Sequence, residues 1–424
     1  MLTKILSKIR FELKSLVHRP LKVGMITTQY PEKSGTTKGV AIHVHNLSEC
    51  LAKLGCEVHI FTVGKKETTS TEYLGDGKRI VHKINTDIGF RNKDFMVEKR
   101  LSRMIFDTKI INEVMKESAK EKFDIIHSHI TMTGALMSKY FANTKWVHTF
   151  HSLEKNSLEF MSKEEKKYQK ISRWMEDIAN YADSLITVSE RLKEEVSEEY
   201  SIPKEKIFAI NNGVNLELFQ PTEEIREKNI LYVGRFSSEK GIDLLIDIIK
   251  ETLKEDNKLK FTIVARPYEK MPSAMEKTQG ELEQLAEKYP ENVFWIKDIL
   301  TPESLKKLYN QSIIYIQPSR YDSFPTTVLE AMACGNAVIC SSKGGMPEMV
   351  DNAGSIVDLD KKAFSSEILK LVKDYRLRER YSRRALKRVE LFSWEDIAQK
   401  TLLVYKKIIG ILKKGEDKYG ITQT

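Results

Sequence analysis

The sequence predicts an α/β protein of two doubly wound parallel-sheet domains in series, on three observations. The chain of 424 residues is longer than one hydrophobic core ordinarily serves and suits two domains of common size. Short apolar runs of strand length alternate with longer stretches of helical periodicity, which is the rhythm of βαβ units. That rhythm breaks at a polar segment near the middle and then starts again.

In the first half the buried-strand runs are residues 23–27, 57–63, 124–129, 145–150 and 184–188, with a weaker run at 80–84. Helical patterns at 40–54 and 103–119 lie between them, and residues 87–99 read as a mobile loop. Segment 220–229 (QPTEEIREKN) is polar, contains Pro221 and lacks apolar periodicity, so it reads as the domain linker. Beyond it, strand runs at 230–233, 261–265, 293–296, 313–316 and 337–340 alternate with helices such as 242–253 and 327–333. The expected domains are 21–220 and 221–393, with a helix at 1–20 before them and a helix and tail at 394–424 after them.

Composition narrows the class. Hydrophobic residues at 41% and charged residues at 30% are ordinary globular proportions. No stretch approaches the ~18 uninterrupted apolar residues of a membrane span. The first ten residues alternate apolar and basic side chains instead of building a secretory apolar block, so a cytosolic location is expected. Cys50, Cys56, Cys334 and Cys340 lack the spacing of zinc knuckles or redox pairs and read as reduced, buried small hydrophobes.

The net charge of +9 is unevenly placed. Lys4, Lys8, Arg10, Lys14 and Arg19 face a single acid, Glu12, so the first 20 residues carry 5 − 1 = +4. Leu2, Ile5, Leu6, Ile9, Leu13, Leu16 and Val17 trace one helical face there, and Pro20 ends it. Such a helix suits the surface of an anionic membrane; packing on the first domain or in a dimer is the alternative. A second basic run comprises Arg376, Arg378, Arg380, Arg383, Arg384, Lys387 and Arg388. The aromatic residues form no stacking array, so no nucleic-acid partner is expected.

Three motifs sit at strand-to-helix junctions, where open α/β sheets bind ligands and helix N-termini favour anions. The first is the turn Gly35-Thr-Thr-Lys-Gly39, and the second is Gly234-Arg-Phe-Ser-Ser-Glu-Lys-Gly241. Arg235 and Lys240 flank the second turn and suit a diphosphate; a solvent-exposed basic turn is the alternative. The third motif runs from Pro318 to Gly335. Asp322 lies in its loop, Thr326 and Thr327 offer hydroxyls and amides at the start of a helix, and Glu330 lies within that helix. Two acids eight positions apart can bracket a ligand, because carboxylates accept from vicinal hydroxyls. The alternative makes Asp322 a helix-entry residue and Glu330 a buried partner of Arg320.

With Asn212-Gly-Val-Asn215, the Gly234–Gly241 turn, the paired acids ending in Leu-Glu330-Ala-Met-Ala, and Gly344-Gly-Met-Pro-Glu348 in order, the chain resembles the retaining glycosyltransferases of family 4 (glycosyl transferases group 1). The resemblance runs from about Leu21 into the C-terminal helix. It implies the GT-B fold, two Rossmann-like domains facing across a cleft, the first for the acceptor and the second for the donor. It also implies that the C-terminal helix crosses back to the first domain. The implied reaction moves a sugar from a nucleoside-diphosphate sugar to a hydroxyl acceptor, with a lipid-linked acceptor or a growing surface glycan among the candidates. No cofactor and no metal are implied.

By that resemblance Arg235 and Lys240 hold the donor diphosphate, Glu330 accepts from ribose hydroxyls, and Asp322 accepts from the donor sugar. Amides of Thr326, Thr327 and Val328 cap the phosphates, Phe324 belongs to the donor-binding set, and Gly39 lets the first domain approach. His151 reaches the transferred sugar, and catalysis is assigned to His151, Arg235, Lys240 and Asp322. A departing diphosphate needs cations and amides where its charge grows. Asp322 is one methylene shorter than the family's usual glutamate, Pro325 stands where a glycine is commoner, and Ala265-Arg-Pro267 replaces a glycine-rich turn. These departures bear on donor identity more than on the reaction class.

All nine histidines lie at or before His151. His43-Val-His45 and His127-Ser-His129 have no carboxylate or cysteine close in sequence to complete a metal site, so cleft-lining neutral imidazoles are expected. Two rivals stay open: a sugar-nucleotide epimerase or hydrolase on the same scaffold, and a non-catalytic subunit that binds nucleotide or membrane.

Overall fold

The computed structural model describes residues 19–31, 39–64, 68–75, 77–87, 95–160, 166–167, 169–267 and 273–421. The expected 1–20 helix lies outside these residues except for Arg19 and Pro20, and so does the first glycine turn except for Gly39.

The first sheet contains β1 (Lys22–Thr27), β2 (Glu57–Gly64), β3 (Ser70–Leu74), β4 (Arg79–Asn85), β5 (Ile125–His129), β6 (Lys145–Phe150), β7 (Ser184–Thr187) and β8 (Ile207–Ala209). Its order is β3-β4-β2-β1-β5-β6-β7-β8, parallel throughout except for β3 against β4. The second sheet contains β9 (Glu227–Val233), β10 (Lys260–Val264), β11 (Val293–Ile296), β12 (Ser312–Gln317), β13 (Ala337–Ser341) and β14 (Ser355–Val357), in the order β11-β10-β9-β12-β13-β14. Every residue of β1 and β12 is buried. Helices cover both faces of a parallel sheet, which is why such strands read as continuous apolar runs.

Each sheet has a switch point where the strand order reverses, and ligands bind there, beyond the carboxyl ends of the strands. In the first sheet it lies between β1 and β5, and in the second between β9 and β12. The 234–241 turn follows β9 and the 318–325 loop follows β12, so topology brings together two motifs about eighty residues apart in sequence. The helix Ile242–Glu255 packs the second turn in place by burying Ile242, Leu245, Ile246, Ile249 and Leu253, one stripe at helical spacing.

Several expectations need correction. Glu227, Lys228 and Asn229, read as linker, begin β9. Parallel pairing with β10 and β12 extends this strand past its apolar run. The supposed loop 87–99 turns helical at Phe95, where the helix Phe95–Lys120 starts. Three edge strands add to the expected set: β3 is largely polar, and β8 and β14 are three residues each, too short to show a period.

Arg19, counted as a surface cation, forms a two-point ion pair with Asp124 beside β5, at 2.7 Å and 3.0 Å. The second basic run forms the helix Tyr375–Val389. There Arg378, Arg384 and Arg388 donate to main-chain carbonyls of Leu371, Asn352 and Glu348, so part of that charge is structural.

The C-terminal helix Trp394–Ile408 packs on the helix Gly39–Lys53. Trp394, Ile397, Ala398, Val404 and Tyr405 share one buried cluster with Val23, Val58, Ile125 and Val147 of the first sheet. Among the described residues no helix is long and apolar enough to cross a membrane.

Candidate active site

The turn after β9 stands on close contacts. Gly241 has φ +71°, and a Cβ there would lie 2.0 Å from the Pro318 carbonyl oxygen, so only glycine fits. Gly344 and Gly345 press equally on the facing loop, with 2.0 Å from a built Cβ to the Asp322 and Ser323 carbonyls. The Gly345 amide donates to the Asp322 carbonyl at 2.9 Å. Three glycines thus clamp the Asp322 loop between the two neighbouring turns.

Lys240 and Asp322 meet in this clamp, Nζ to Oδ2 at 2.7 Å. Arg235 pairs with Glu239 at 3.0 Å, and the same Glu239 oxygen is 3.2 Å from Lys240. Burial favours a neutral Glu239, but Lys240 and Arg235 overcome it and hold the carboxyl below its usual range. Glu239 adjoins Lys240 in the chain, but only the folded turn shows it shared between the two cations.

Arg320 does not pair with Glu330. Its guanidinium engages Asp243 at 2.6 Å and 2.7 Å. Glu330 is buried on the helix Thr326–Ala333, where its Oε2 accepts from the Tyr309 hydroxyl at 2.9 Å. Burial pushes its pKa up to about 7, against the pull of that hydrogen bond. Tyr309 comes from the helix Pro302–Gln311 and had no sequence signal.

At the start of the Glu330 helix the residue before Thr326 is Pro325, whose side chain makes no capping bond. The Val328 amide donates to the Pro325 carbonyl at 3.2 Å, so of the three amides assigned to phosphate this one is engaged within the turn. The Thr327 hydroxyl is 3.0 Å from that of Tyr315. The Phe324 ring is buried against Phe392, and its carbonyl accepts from Asn212 at 2.8 Å.

Asn212 joins the two halves. Its other amide atom, Oδ1, accepts from His43 Nδ1 at 3.0 Å. The His43 ring packs edge-on against His151 at 4.7 Å, and His151 Nε2 is 3.1 Å from His129 Nδ1. His151 is therefore linked to the Phe324 loop through His43 and Asn212. Burial first, then His43, His148 and His127, hold His151 well below the usual histidine range, so it is neutral near pH 7.

The helix Gly39–Lys53, the end of β5 and the residue just past β6 supply His43, His129 and His151, whose ligand nitrogens lie within 4.8 Å of one another. Sequence proximity could not reveal this set. It is all-imidazole, and His129 Nε2 is buried without a hydrogen-bond partner among the described residues. At Gly39 a built Cβ would meet nothing within 4 Å, which leaves room at that helix start.

Further clasps join the halves. Tyr321 donates to Glu195 at 2.6 Å, and Glu348 accepts from the Glu190 amide at 2.8 Å and from Asn211 at 3.1 Å. Beside them is a cavity of about 610 Å³ whose lining includes Arg191, Glu195, Tyr321, Lys343 and Glu348. It is of a size that holds a small-molecule ligand.

Two doubly wound sheets, with phosphate-suited turns at one switch point and a histidine cluster at the other, define the GT-B class. The sucrose-phosphate synthase from Thermosynechococcus elongatus has this fold: TM-score 0.75 at 21% identity, over 92% of this chain and 100% of that one.

Residues 37–218 match the family described as Glycosyltransferase Family 4, and residues 215–388 match Glycosyl transferases group 1. The chain belongs to this retaining family and is a glycosyltransferase that takes its sugar from a nucleotide sugar. A glycosyltransferase of Methanocaldococcus jannaschii is 29% identical over 91% of this chain and 98% of its own length. The alpha-maltose-1-phosphate synthase of Mycolicibacterium smegmatis is 26% identical over 92% of this chain and 100% of its own length.

Proposed function

We propose that residues 221–393 bind a nucleoside-diphosphate hexose and that residues 21–220 present the acceptor hydroxyl, with 394–424 closing back on the first domain. Arg235 and Lys240 take the diphosphate, Glu330 the ribose, Asp322 the sugar hydroxyls, and His151 meets the transferred sugar from the other side. The observation that supports this most is the Lys240–Asp322 pair at 2.7 Å, held at the switch point by glycine contacts.

In the resting site Glu239 and Asp322 balance the two cations. An arriving diphosphate can take over Lys240 and Arg235, which frees Asp322 for hydroxyls. As the glycosidic bond breaks, charge grows on the leaving diphosphate, and fixed cations stabilise that state more than the ground state. The acceptor oxygen then attacks the same face within a tight ion pair and passes its proton to the departing diphosphate oxygen, which retains configuration without a protein nucleophile. Neutral His151 can accept a hydrogen bond from the sugar but adds no positive charge beside the developing cation.

A screen of nucleotide sugars by thermal shift tests the donor reading, because ligand binding to the folded state raises the midpoint. Turnover on hydroxyl acceptors follows. Conversion of the donor with no acceptor present would favour an epimerase or hydrolase.

For the acceptor, the basic amphipathic sequence of residues 1–20 supports a lipid-linked hydroxyl or a surface glycan at an anionic membrane. Flotation with anionic vesicles checks this: the full chain should float and a chain starting at Leu21 should not. Equal flotation of both would move the role to the run from Arg376 to Arg388.

A further inference from the structure

Away from the cleft, His59 on β2 and His82 on β4 face each other, Nδ1 to Nε2 at 2.9 Å. Glu117, on the helix Phe95–Lys120, completes a buried group whose ligand atoms lie within 4.8 Å of one another. His59 is the third residue of its strand and His82 the fourth, so neither sits at the carboxyl ends where the cleft opens.

The outer hydrogen bonds orient both rings. Glu57 Oε1 is 2.8 Å from His59 Nε2. The Glu57 carboxylate oxygen accepts there, so the proton of His59 sits on Nε2 and the lone pair of Nδ1 faces His82. The second ring is held by Thr71, whose hydroxyl is 3.3 Å from His82 Nδ1. A hydroxyl can donate or accept, so a turn of the Thr71 rotor lets His82 bare its Nε2 as well.

We propose that His59 Nδ1, His82 Nε2 and the Glu117 carboxylate form a zinc site that fastens the long helix Phe95–Lys120 to the edge of the first sheet. Two imidazoles and one carboxylate are a zinc donor set, and a fourth position is left for water. The Glu57–His59 pair is the outer carboxylate that such ligands commonly carry. Glu117 now accepts from Lys120 at 2.8 Å, and Lys120, whose side chain is 64% exposed, can yield that oxygen to the metal and turn to solvent. The site stands apart from sugar transfer, so its readout is binding and stability.

The test titrates zinc chloride into chelator-stripped full-length protein by calorimetry, with melting followed in parallel. Binding of one zinc per chain at this site and a raised midpoint are expected. H82A and E117Q should each bind at least about tenfold more weakly. The isosteric E117Q guards against loss of fold, checked by circular dichroism. Cobalt in the unsubstituted protein should give the strong visible bands of four-coordinate geometry.

Undiminished zinc uptake by both variants would assign the metal to His43, His129 and His151 and overturn the proposal. The absence of uptake by the unsubstituted protein would overturn it as well.

Discussion

Lys240 and Arg235 each balance Glu239 in the resting site, and Lys240 also holds Asp322. Replacing either cation by alanine should lower kcat by about 10²–10³-fold, the effect of losing one preorganised charge partner, with the melting curve little changed. Steady-state rates near those of the unsubstituted enzyme in both variants would remove the diphosphate from this turn. Glu330 makes a separate prediction. With its pKa pushed up to about 7, it loses its charge as the pH falls below that value. Ribose hydroxyls donate best to the ionised form, so donor affinity should weaken by up to about tenfold per pH unit below about 7. E330Q should bind more weakly and lack that dependence; donor titrations across the range decide it. Glu330 was legible in the sequence because apolar neighbours surround it, whereas Tyr309, twenty-one positions away, was not.

Among the elements, the helix Trp394–Ile408 depends on its first residue. Trp394 is buried and covers Gly213, where an added Cβ would stand 2.5 Å from the indole. The indole also packs edge-on against His43 at 5.2 Å. W394A removes a buried aromatic with a cavity term and should cost about 3–5 kcal/mol in urea unfolding. G213A forces the indole to shift and should also destabilise, although it deletes no atom. The Asn212-Gly-Val-Asn215 motif was visible as a pattern, but its work was not. Asn212 bridges His43 and Phe324, and Gly213 leaves room for a side chain 181 positions later.

For the whole molecule, acid should weaken the half that holds the histidines. His43 and His82 titrate at about 4 when folded and near 6.5 in the unfolded chain. Below 6.5 the unfolded state therefore binds more protons, so stability present above 6.5 is lost as the pH falls toward about 4. At pH about 5 each contributes a loss of about 2 kcal/mol, and His148, at about 3, adds to it. Melting temperatures at pH about 7.5 and about 5 should differ by many degrees, and unchanged values would contradict the burial argument. Sugar transfer itself should survive exhaustive chelation, because the charge partners assigned to the diphosphate are side chains. A rate abolished by chelator and restored by a divalent ion would overturn that assignment. Chelation should instead lower the midpoint of zinc-loaded protein while the rate at moderate temperature holds.

Local pattern alone carried the two-sheet class, the longer strands and helices, and the candidates Arg235, Lys240, Asp322 and Glu330, but not the short strands β3, β8 and β14. Periodicity, glycine turns and charge next to a strand end are properties of short windows, and short windows suffice to read them. Tertiary structure decided the partners. It gave Arg320 to Asp243 and Tyr309 to Glu330, turned the Phe324 ring into the core, and gathered His43, His129 and His151 from three places in the chain. It also set His59 against His82, because parallel pairing of β2 with β4 places the two strands side by side. The reason is the range of the forces. Backbone propensity acts over a few residues, whereas an ion pair or a buried hydrogen bond joins groups that are near only after the strand order has been chosen. That order depends on how both sheets bury their faces at once.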